Sequence, residues 1–411
     1  MNNRHEHRLK NKKSLFKKWM GKFHLWLGLS TGLIVFIVSI TGALYVFKED
    51  IQYALRKDFI YHSEQNIAGK STLPLRVLEQ KINEQNPEKY PLHWVEIPID
   101  KSKSYKFYYY ERNPDAWNYF DEYQIYKTVY INPFTGKILS VQDEKNGFFN
   151  IVKFIHWSFL LKSDWGKYVV GIPVLIFVFM LISGIILWWP RNKAARKQRF
   201  WFQWKNIKNW KRKNYDLHSI LGFYASFIAL IVAMTGLFYS FFFIQAFFYF
   251  IFSGGNTVYP DFSHIKTKDP IEMKSAQTLD KIALQVEQHY PNYSAYTIDL
   301  GHPHLDDHEH ENFTVYVRGL EDKYYIYSEM IFDENSGKLL MNRPYEKRNF
   351  GEKYVAANYD IHVGAILGTF GKILAFISSL ICASLPITGF LVWWGRKKKV
   401  KPISNSTTNT K

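Results

Sequence analysis

Cysteine is nearly missing: Cys382 is the only one in 411 residues. No intramolecular disulfide can form, and no Cys-x-x-Cys-His is present to attach a c-type haem covalently. Glycine-rich phosphate loops are absent too. Neither Gly-x-Gly-x-x-Gly nor Gly-x-x-x-x-Gly-Lys-Ser/Thr occurs, so no nicotinamide or P-loop site is suggested. Acids are scarce inside the apolar runs, apart from their ends. No row of Asp or Glu suits proton translocation, which counts against a proton-coupled transporter.

Acids are also outnumbered overall, with 36 Asp and Glu against 53 Lys and Arg. The net charge of +17 is unevenly placed. Residues 1–22 hold eight Lys/Arg and one acid, residues 190–217 hold ten and one, and the tail from 395 holds six and none. The remainder is net negative. Between the basic segments lie four apolar runs, at roughly residues 25–47, 168–189, 221–252 and 372–394. Each has about 20 or more mostly apolar residues, enough for about 30 Å of hydrocarbon. The first is too long for a cleaved signal peptide, and Thr41-Gly42-Ala43 leads into aromatic and charged residues. Basic segments alternate with acid-containing ones across the four runs. This positive-inside pattern puts both termini and the middle linker in the cytoplasm, with about 48–155 and 253–361 outside. The expected partner of the basic runs is membrane lipid. They are short and juxtamembrane and carry no nucleic-acid module, so no nucleic acid is expected.

The chain repeats itself. KFHLWLGLSTGLIVFIVSITGALYVF (22–47) and NYDLHSILGFYASFIALIVAMTGLFY (214–239) share one plan. His24 precedes Gly28 by four residues and Gly42 by eighteen; His218 precedes Gly222 and Gly236 by the same intervals. Thr stands before each distal glycine. The closing runs correspond as well. His156 precedes Gly166-Lys167 by ten residues, and His362 precedes Gly371-Lys372 by nine. Ser183-Gly184 leads to Trp188-Trp189-Pro190-Arg191, and Thr388-Gly389 leads to Trp393-Trp394-Gly395-Arg396. An internal duplication is the expectation.

Each long outer segment reads as an α+β unit. In the first, residues 73–85 have helical spacing, and 92–99, 104–110 and 123–131 have strand character. Asn132-Pro-Phe-Thr-Gly136 supplies a turn. In the second, 276–290 is the helix, 294–300, 312–319 and 323–332 are strands, and Asp333-Glu-Asn-Ser-Gly337 is the matching turn. The expected architecture is a membrane protein, a four-transmembrane-helix α-helical bundle with two outer α+β domains, internally duplicated. Its parts are a basic tail (1–22), a first span (23–47), a first outer domain (48–150), a surface helix with the second span (151–189) and a basic linker (190–214). A third span (215–252), a second outer domain (253–357), a surface helix with the fourth span (358–394) and a tail (395–411) follow.

Four histidines open the four spans: His24, His156, His218 and His362. The topology puts His24 and His218 level at the inner side, and His156 and His362 level at the outer side. Neutral imidazoles are good axial ligands for haem iron. Gly28, Gly42, Gly222 and Gly236 would let a flat macrocycle approach. The plainer alternative makes these interfacial histidines and helix-packing glycines. His156 and His362 lie about a dozen residues before their most apolar stretches, which a straight helix would carry well outside the hydrocarbon. They are expected on short helices folded over the surface, with turns near Ser163-Asp164 and Gly368. A separate run, His302-Pro-His304-Leu-Asp306-Asp307-His308-Glu309-His310, could load zinc, copper or iron or be a solvated loop.

These residues resemble the PepSY-associated transmembrane family, the iron-regulated or iron-uptake membrane proteins. The resemblance is carried by His24-Leu-Trp-Leu-Gly28, Ser39-Ile-Thr-Gly42, Ile155-His156, Ser183-Gly184 through Arg191, Asp216-Leu-His218 through Gly222, Thr235-Gly236, Ile361-His362 and Trp393-Trp394, and it covers about residues 15–400. It implies two periplasmic PepSY-like domains on a bundle in the bacterial inner membrane. It implies two haem b groups, with His24 and His218 as inner ligands and His156 and His362 as outer ones. The implied reaction is one-electron reduction of a periplasmic Fe(III)-siderophore or other ferric chelate, releasing Fe(II) for uptake. Some relatives carry a fused flavoprotein reductase. This chain shows none, so a separate electron donor is expected, either membrane quinol or a cytoplasmic reductase. PepSY modules also regulate envelope peptidases, so a membrane-anchored regulatory or binding module is the alternative. An iron or siderophore permease component is a third, though polar pathway residues are sparse.

Overall fold

Four helices are long and apolar enough to cross a membrane: Leu15–Tyr45, Ser163–Trp188, Trp210–Ser240 and Ala365–Arg396. They belong to a computed structural model that describes residues 2–64, 69–190, 193–205, 207–262, 265, 278–300, 312–321 and 323–397. In chain order the helices are α1 (Asn2–Tyr45), α2 (Lys48–Ile60), α3 (Leu75–Gln85), α4 (Tyr119–Glu122), α5 (Phe148–Ser158), α6 (Ser163–Trp188) and α7 (Lys193–Phe200). Then come α8 (Trp210–Asp216), α9 (Gly222–Ser240), α10 (Phe242–Phe252), α11 (Thr278–His289), α12 (Phe350–His362) and α13 (Gly368–Lys397). The chain divides into two units. One is drawn from Met1–Val46, Tyr168–Ser240 and His362–Lys411, the other from Phe47–Lys167 and Phe241–Ile361.

The first unit holds the bundle. Here α13 packs on α1 and on α9. Close approach depends on small residues at the crossings. A Cβ at Gly28 would lie 2.9 Å from Met180 Cε, one at Gly32 3.2 Å from Pro386 Cβ, and one at Gly222 3.3 Å from Leu385 Cδ2. On α9, Ala225, Ala229 and Ala233 repeat every four residues and are buried. Ser378 of α13 donates to the Ala225 carbonyl there. Other faces turn large apolar side chains outward, among them Leu33, Phe179, Phe227 and Ile387. That distribution suits hydrocarbon, where helices associate through close packing of small residues and expose Leu and Phe at no cost. The protein is a multi-pass membrane protein.

The third span differs from its expected course. It starts at Trp210, passes through a π-helical turn at Leu217–Leu221, and ends at Ser240. Phe241 is extended, with φ −130° and ψ 116°, and α10 restarts in the other unit. The apolar run to Phe252 is therefore two helices and not one span. Nothing in the composition marks the break, because both sides are aromatic.

The second unit holds eight antiparallel strands: β1 (Leu92–Pro98), β2 (Tyr105–Arg112), β3 (Tyr123–Ile131), β4 (Ile138–Asp143), β5 (Tyr293–Asp299), β6 (Asn312–Gly319), β7 (Tyr327–Asp333) and β8 (Leu339–Arg343). Each expected strand and both expected helices are present within a few residues. The two segments are not separate domains, however. Their strands form one sheet in the order β4-β3-β2-β1-β5-β6-β7-β8. The join is the β1–β5 pair, with Val95 opposite Ile298 and Glu96 opposite Thr297. Joining there satisfies the backbone groups of two edge strands that would otherwise be open.

One continuous core underlies the join. Val95, Phe107, Val129, Ile298, Val315 and Met330 face it from the sheet, and Leu78, Ile82, Ile282 and Val286 face it from α3 and α11. All are fully buried, and each large aliphatic side chain contributes about 1.5–3 kcal/mol. The helices also exchange a cap. Pro74 precedes α3 and offers no capping side chain, so Asp280 of α11 accepts from Leu75 N at 2.9 Å. The two expected turns are present. Gly136 and Gly337 take φ of +70° and +69°, and Asn132 Oδ1 and Asp333 Oδ1 accept backbone N–H groups within their own turns.

Candidate functional site

His24 lies on α1, facing α6. Its Nδ1 is 2.9 Å from Ser183 Oγ. That hydroxyl has one hydrogen, and it donates to the Met180 carbonyl at 2.9 Å. The hydroxyl therefore accepts from His24, so Nδ1 carries the proton and Nε2 the lone pair. The ring packs against the helix at Gly184. A Cβ there would be 3.4 Å from His24 Cε1.

His218 repeats this arrangement on α13. Its Nδ1 is 3.0 Å from Thr388 Oγ1, whose hydrogen is directed to the Ser384 carbonyl at 2.9 Å. A Cβ at Gly389 would be 3.1 Å from His218 Cε1. His218 sits inside the π-helical turn, whose extra residue shifts its side chain relative to a regular helix. The turn is anchored just before it. Asp216 accepts from Arg212 Nε at 3.1 Å and from Trp204 Nε1 at 3.3 Å, and Asn214 donates to the Thr388 carbonyl at 3.0 Å.

The two imidazoles meet across one cavity of about 400 Å³. Their ring centroids are 6.4 Å apart and their planes are 81° to one another. A metal shared by two imidazoles needs about 2 Å for each metal–nitrogen bond and about 1 Å from each nitrogen to its centroid, roughly 6 Å in all. The observed centroid spacing is of that length. Gly28 and Gly222 line the same cavity, together with Trp393. Arg199, Tyr215 and Arg396 also line it and provide cationic and hydroxyl groups.

His362, the last residue of α12, has a seat of the same kind. Its Nδ1 is 2.9 Å from the Val232 carbonyl and 3.1 Å from Thr235 Oγ1. A carbonyl can only accept, so Nδ1 is again the protonated nitrogen. A Cβ at Gly236 would be 3.0 Å from His362 Cε1. After His362 the chain turns at Gly364, φ +79°, and a Cβ on Gly371 would lie 2.1 Å from the Gly364 carbonyl. His156 is in the last turn of α5, in the other unit. That helix stops because Phe159 and Leu160 take left-handed φ of 55° and 59°, and the second span begins at Ser163. His156 and His362 thus stand on helices distinct from the spans that follow them. Thr41 is buried, its hydroxyl donating to the Ile37 carbonyl at 2.8 Å, and Gly42 follows it.

The sequence marks Ser183-Gly184, Thr235-Gly236 and Thr388-Gly389 only as repeats; that they hold His24, His362 and His218 is seen in the structure. Their signal was visible, since a Ser/Thr-Gly pair recurs in every span. Among the described residues no three His, Cys, Asp or Glu side chains gather as a metal cage. The run His302, His304, His308 and His310 lies outside the described residues. No curated protein matches the chain. Residues 22–396 match the family pattern of the PepSY-associated TM region, and the chain belongs to that family.

Proposed function

We propose that this protein is a di-haem b electron carrier of the bacterial inner membrane that reduces a periplasmic ferric siderophore, or another ferric chelate, to release Fe(II) for uptake. The observation that carries the reading is the His24–His218 pair, 6.4 Å between centroids with each Nδ1 tied down. Two imidazoles do not close a site for a bare ion. They do suffice for a metal that brings its other four ligands with it, as haem iron does. When bound, the haem supplies one-electron redox chemistry.

The chain's own residues do the positioning. His24 and His218 present Nε2 lone pairs. Ser183 and Thr388 fix the tautomer and ring rotation, the outer-shell role that raises ligand basicity. Gly389 lets the His218 ring lie close to its helix. Arg199 and Arg396 would hold the carboxylates of the haem edge. His362, oriented by Val232 and Thr235, is assigned to the second haem.

The charge distribution supports the sidedness. Basic segments at 1–22, 190–217 and from 395 would be cytoplasmic, with the sheet unit periplasmic. The matching order of span, sheet half and span supports an internal duplication. A separate quinol or cytoplasmic reductase would deliver electrons.

The test is a reduced-minus-oxidised visible spectrum of detergent-purified protein, with haem counted as its pyridine complex. Two b haems are expected, with one lost in His218→Ala and one in His362→Ala. Folded, monodisperse protein that stays colourless when made in haem-replete cells would overturn the reading. It would favour a PepSY regulatory module.

A further inference from the structure

The sheet unit has its own cavity, of about 330 Å³, between β6, β7 and the segment Tyr259–Phe262. Arg348 lines it. This arginine follows the short turn Tyr345–Lys347 and is 5% exposed. Its guanidinium stacks on the Tyr327 ring, 3.9 Å from the centroid. Among the described residues, its Nε and Nη2 have no hydrogen-bond partner.

Those two nitrogens form one edge of the guanidinium. Their N–H bonds run parallel and match the two oxygens of a single carboxylate. Glu329 Oε2 is 3.6 Å from Nη2, near enough to offset charge but too far to accept the bond. Partly buried arginines of the unit are closed. Arg56 reaches both oxygens of Glu144, at 2.5 and 3.0 Å, and Arg343 bonds to Glu352. A buried cation with an unused edge facing a cavity is costly unless something completes it. Asn312 Oδ1, on the same wall, also lacks a partner among the described residues. Burial pushes the Tyr259 and Tyr316 phenols up to about 12, so at neutral pH both are uncharged hydroxyls able to donate.

We propose that this cavity binds a small carboxylate, its two oxygens on the Nε–Nη2 edge of Arg348 and its body beside the Tyr259 and Phe262 rings. The volume is near the lower end of small-molecule sites, about 300–1,000 Å³, which sets the size of the ligand. This site is separate from the histidine pair and stands whether or not haem is bound.

Full-length protein in detergent would be titrated with 4-fluorobenzoate and followed by fluorine NMR, with 4-fluorobenzamide as the neutral isostere. Saturable binding of the acid is expected, with the amide roughly tenfold weaker. Arg348→Gln should weaken the acid roughly tenfold, and Arg348→Lys, which keeps charge but loses the paired edge, several-fold. Two carboxylates line the cavity, Asp261 and Glu329; Glu329→Gln removes the one beside Arg348 and should tighten binding about threefold. That gain cannot come from misfolding, so the proposal stays testable if the Arg348 variants fold poorly. Absence of saturable binding to wild type up to about 10 mM, equal affinity for acid and amide, or no tightening in Glu329→Gln would each overturn it.

Discussion

His218 rests directly on Gly389: a Cβ there would come within 3.1 Å of its Cε1, while Thr388 next door holds its Nδ1 at 3.0 Å. The same two-residue seat receives His24 at Ser183-Gly184 and His362 at Thr235-Gly236. At His24 and His218 the hydroxyl sets the tautomer, at His362 the Val232 carbonyl does, and at Gly236 and Gly389 the missing side chain sets the distance. The three clearances differ, at 3.0 Å for Gly236, 3.1 Å for Gly389 and 3.4 Å for Gly184.

That ladder gives an ordered prediction. Gly236→Ala and Gly389→Ala should each push a ring outward by a few tenths of an ångström and cost about 1–3 kcal/mol of stability. Gly184→Ala meets only ordinary contact and should be near neutral. Melting temperatures of the three detergent-solubilised variants check this. If Gly184→Ala proves as damaging as Gly236→Ala, contact with the histidine is not what requires glycine.

The hydroxyls can be tested apart from the glycines. Thr388→Val keeps the shape but removes the acceptor for His218 Nδ1–H. Loss of such an outer-shell partner typically lowers metal affinity about 10–100-fold. Thr388→Ser should recover most of it. Haem content after titration of haem-depleted protein is the readout. Equal loading of wild type and Thr388→Val would mean that the tautomer is set elsewhere.

Why were the seats not legible beforehand? The sequence shows His24 and Gly42 on one helix, eighteen residues apart, and the eye pairs them. In space His24 belongs to Gly184, on another span. Periodicity reports which side of a helix a residue faces, not which neighbour it meets. The π-helical turn at His218 escaped for a related reason, since one extra residue barely disturbs an apolar pattern. Strands were readable because alternation such as Val95–Ile97 and Phe107–Tyr109 needs no knowledge of partners. The β1–β5 join was not, because Val95 and Ile298 lie far apart in the chain and each segment reads as a helix and strands of its own.

The join leads to a stability prediction. Asp280 caps α3 across the two segments, at Leu75 N. Asp280→Ala should cost about 1 kcal/mol, the usual loss for a carboxylate cap. Asp280→Asn keeps an acceptor oxygen and should cost less. Urea unfolding of the full chain, followed by tryptophan fluorescence, measures both. An Asn variant no better than Ala would show that charge near the helix N-terminus matters more than the hydrogen bond.

Glu96 ties the join together electrostatically. From β1 it meets Lys106 of β2 at 2.8 Å and Arg318 of β6 at 3.2 Å. Burial by itself would raise its carboxyl, but the charges of Lys106 and Arg318 outweigh that and hold it below the usual range. A carboxyl lowered by folding stabilises above its unfolded value, about 4.3, and that contribution is lost as pH falls through the folded value. The acid side of the melting profile should therefore steepen below about pH 4.3. Glu96→Gln should flatten that limb. At neutral pH it should cost about 3 kcal/mol, because two half-buried cations lose their shared anion. Melting temperature against pH for wild type and variant separates the outcomes. Parallel acid limbs would assign the acid sensitivity to other carboxylates, and an unchanged neutral value would mean that water screens Lys106 and Arg318 well enough to make the bridge dispensable.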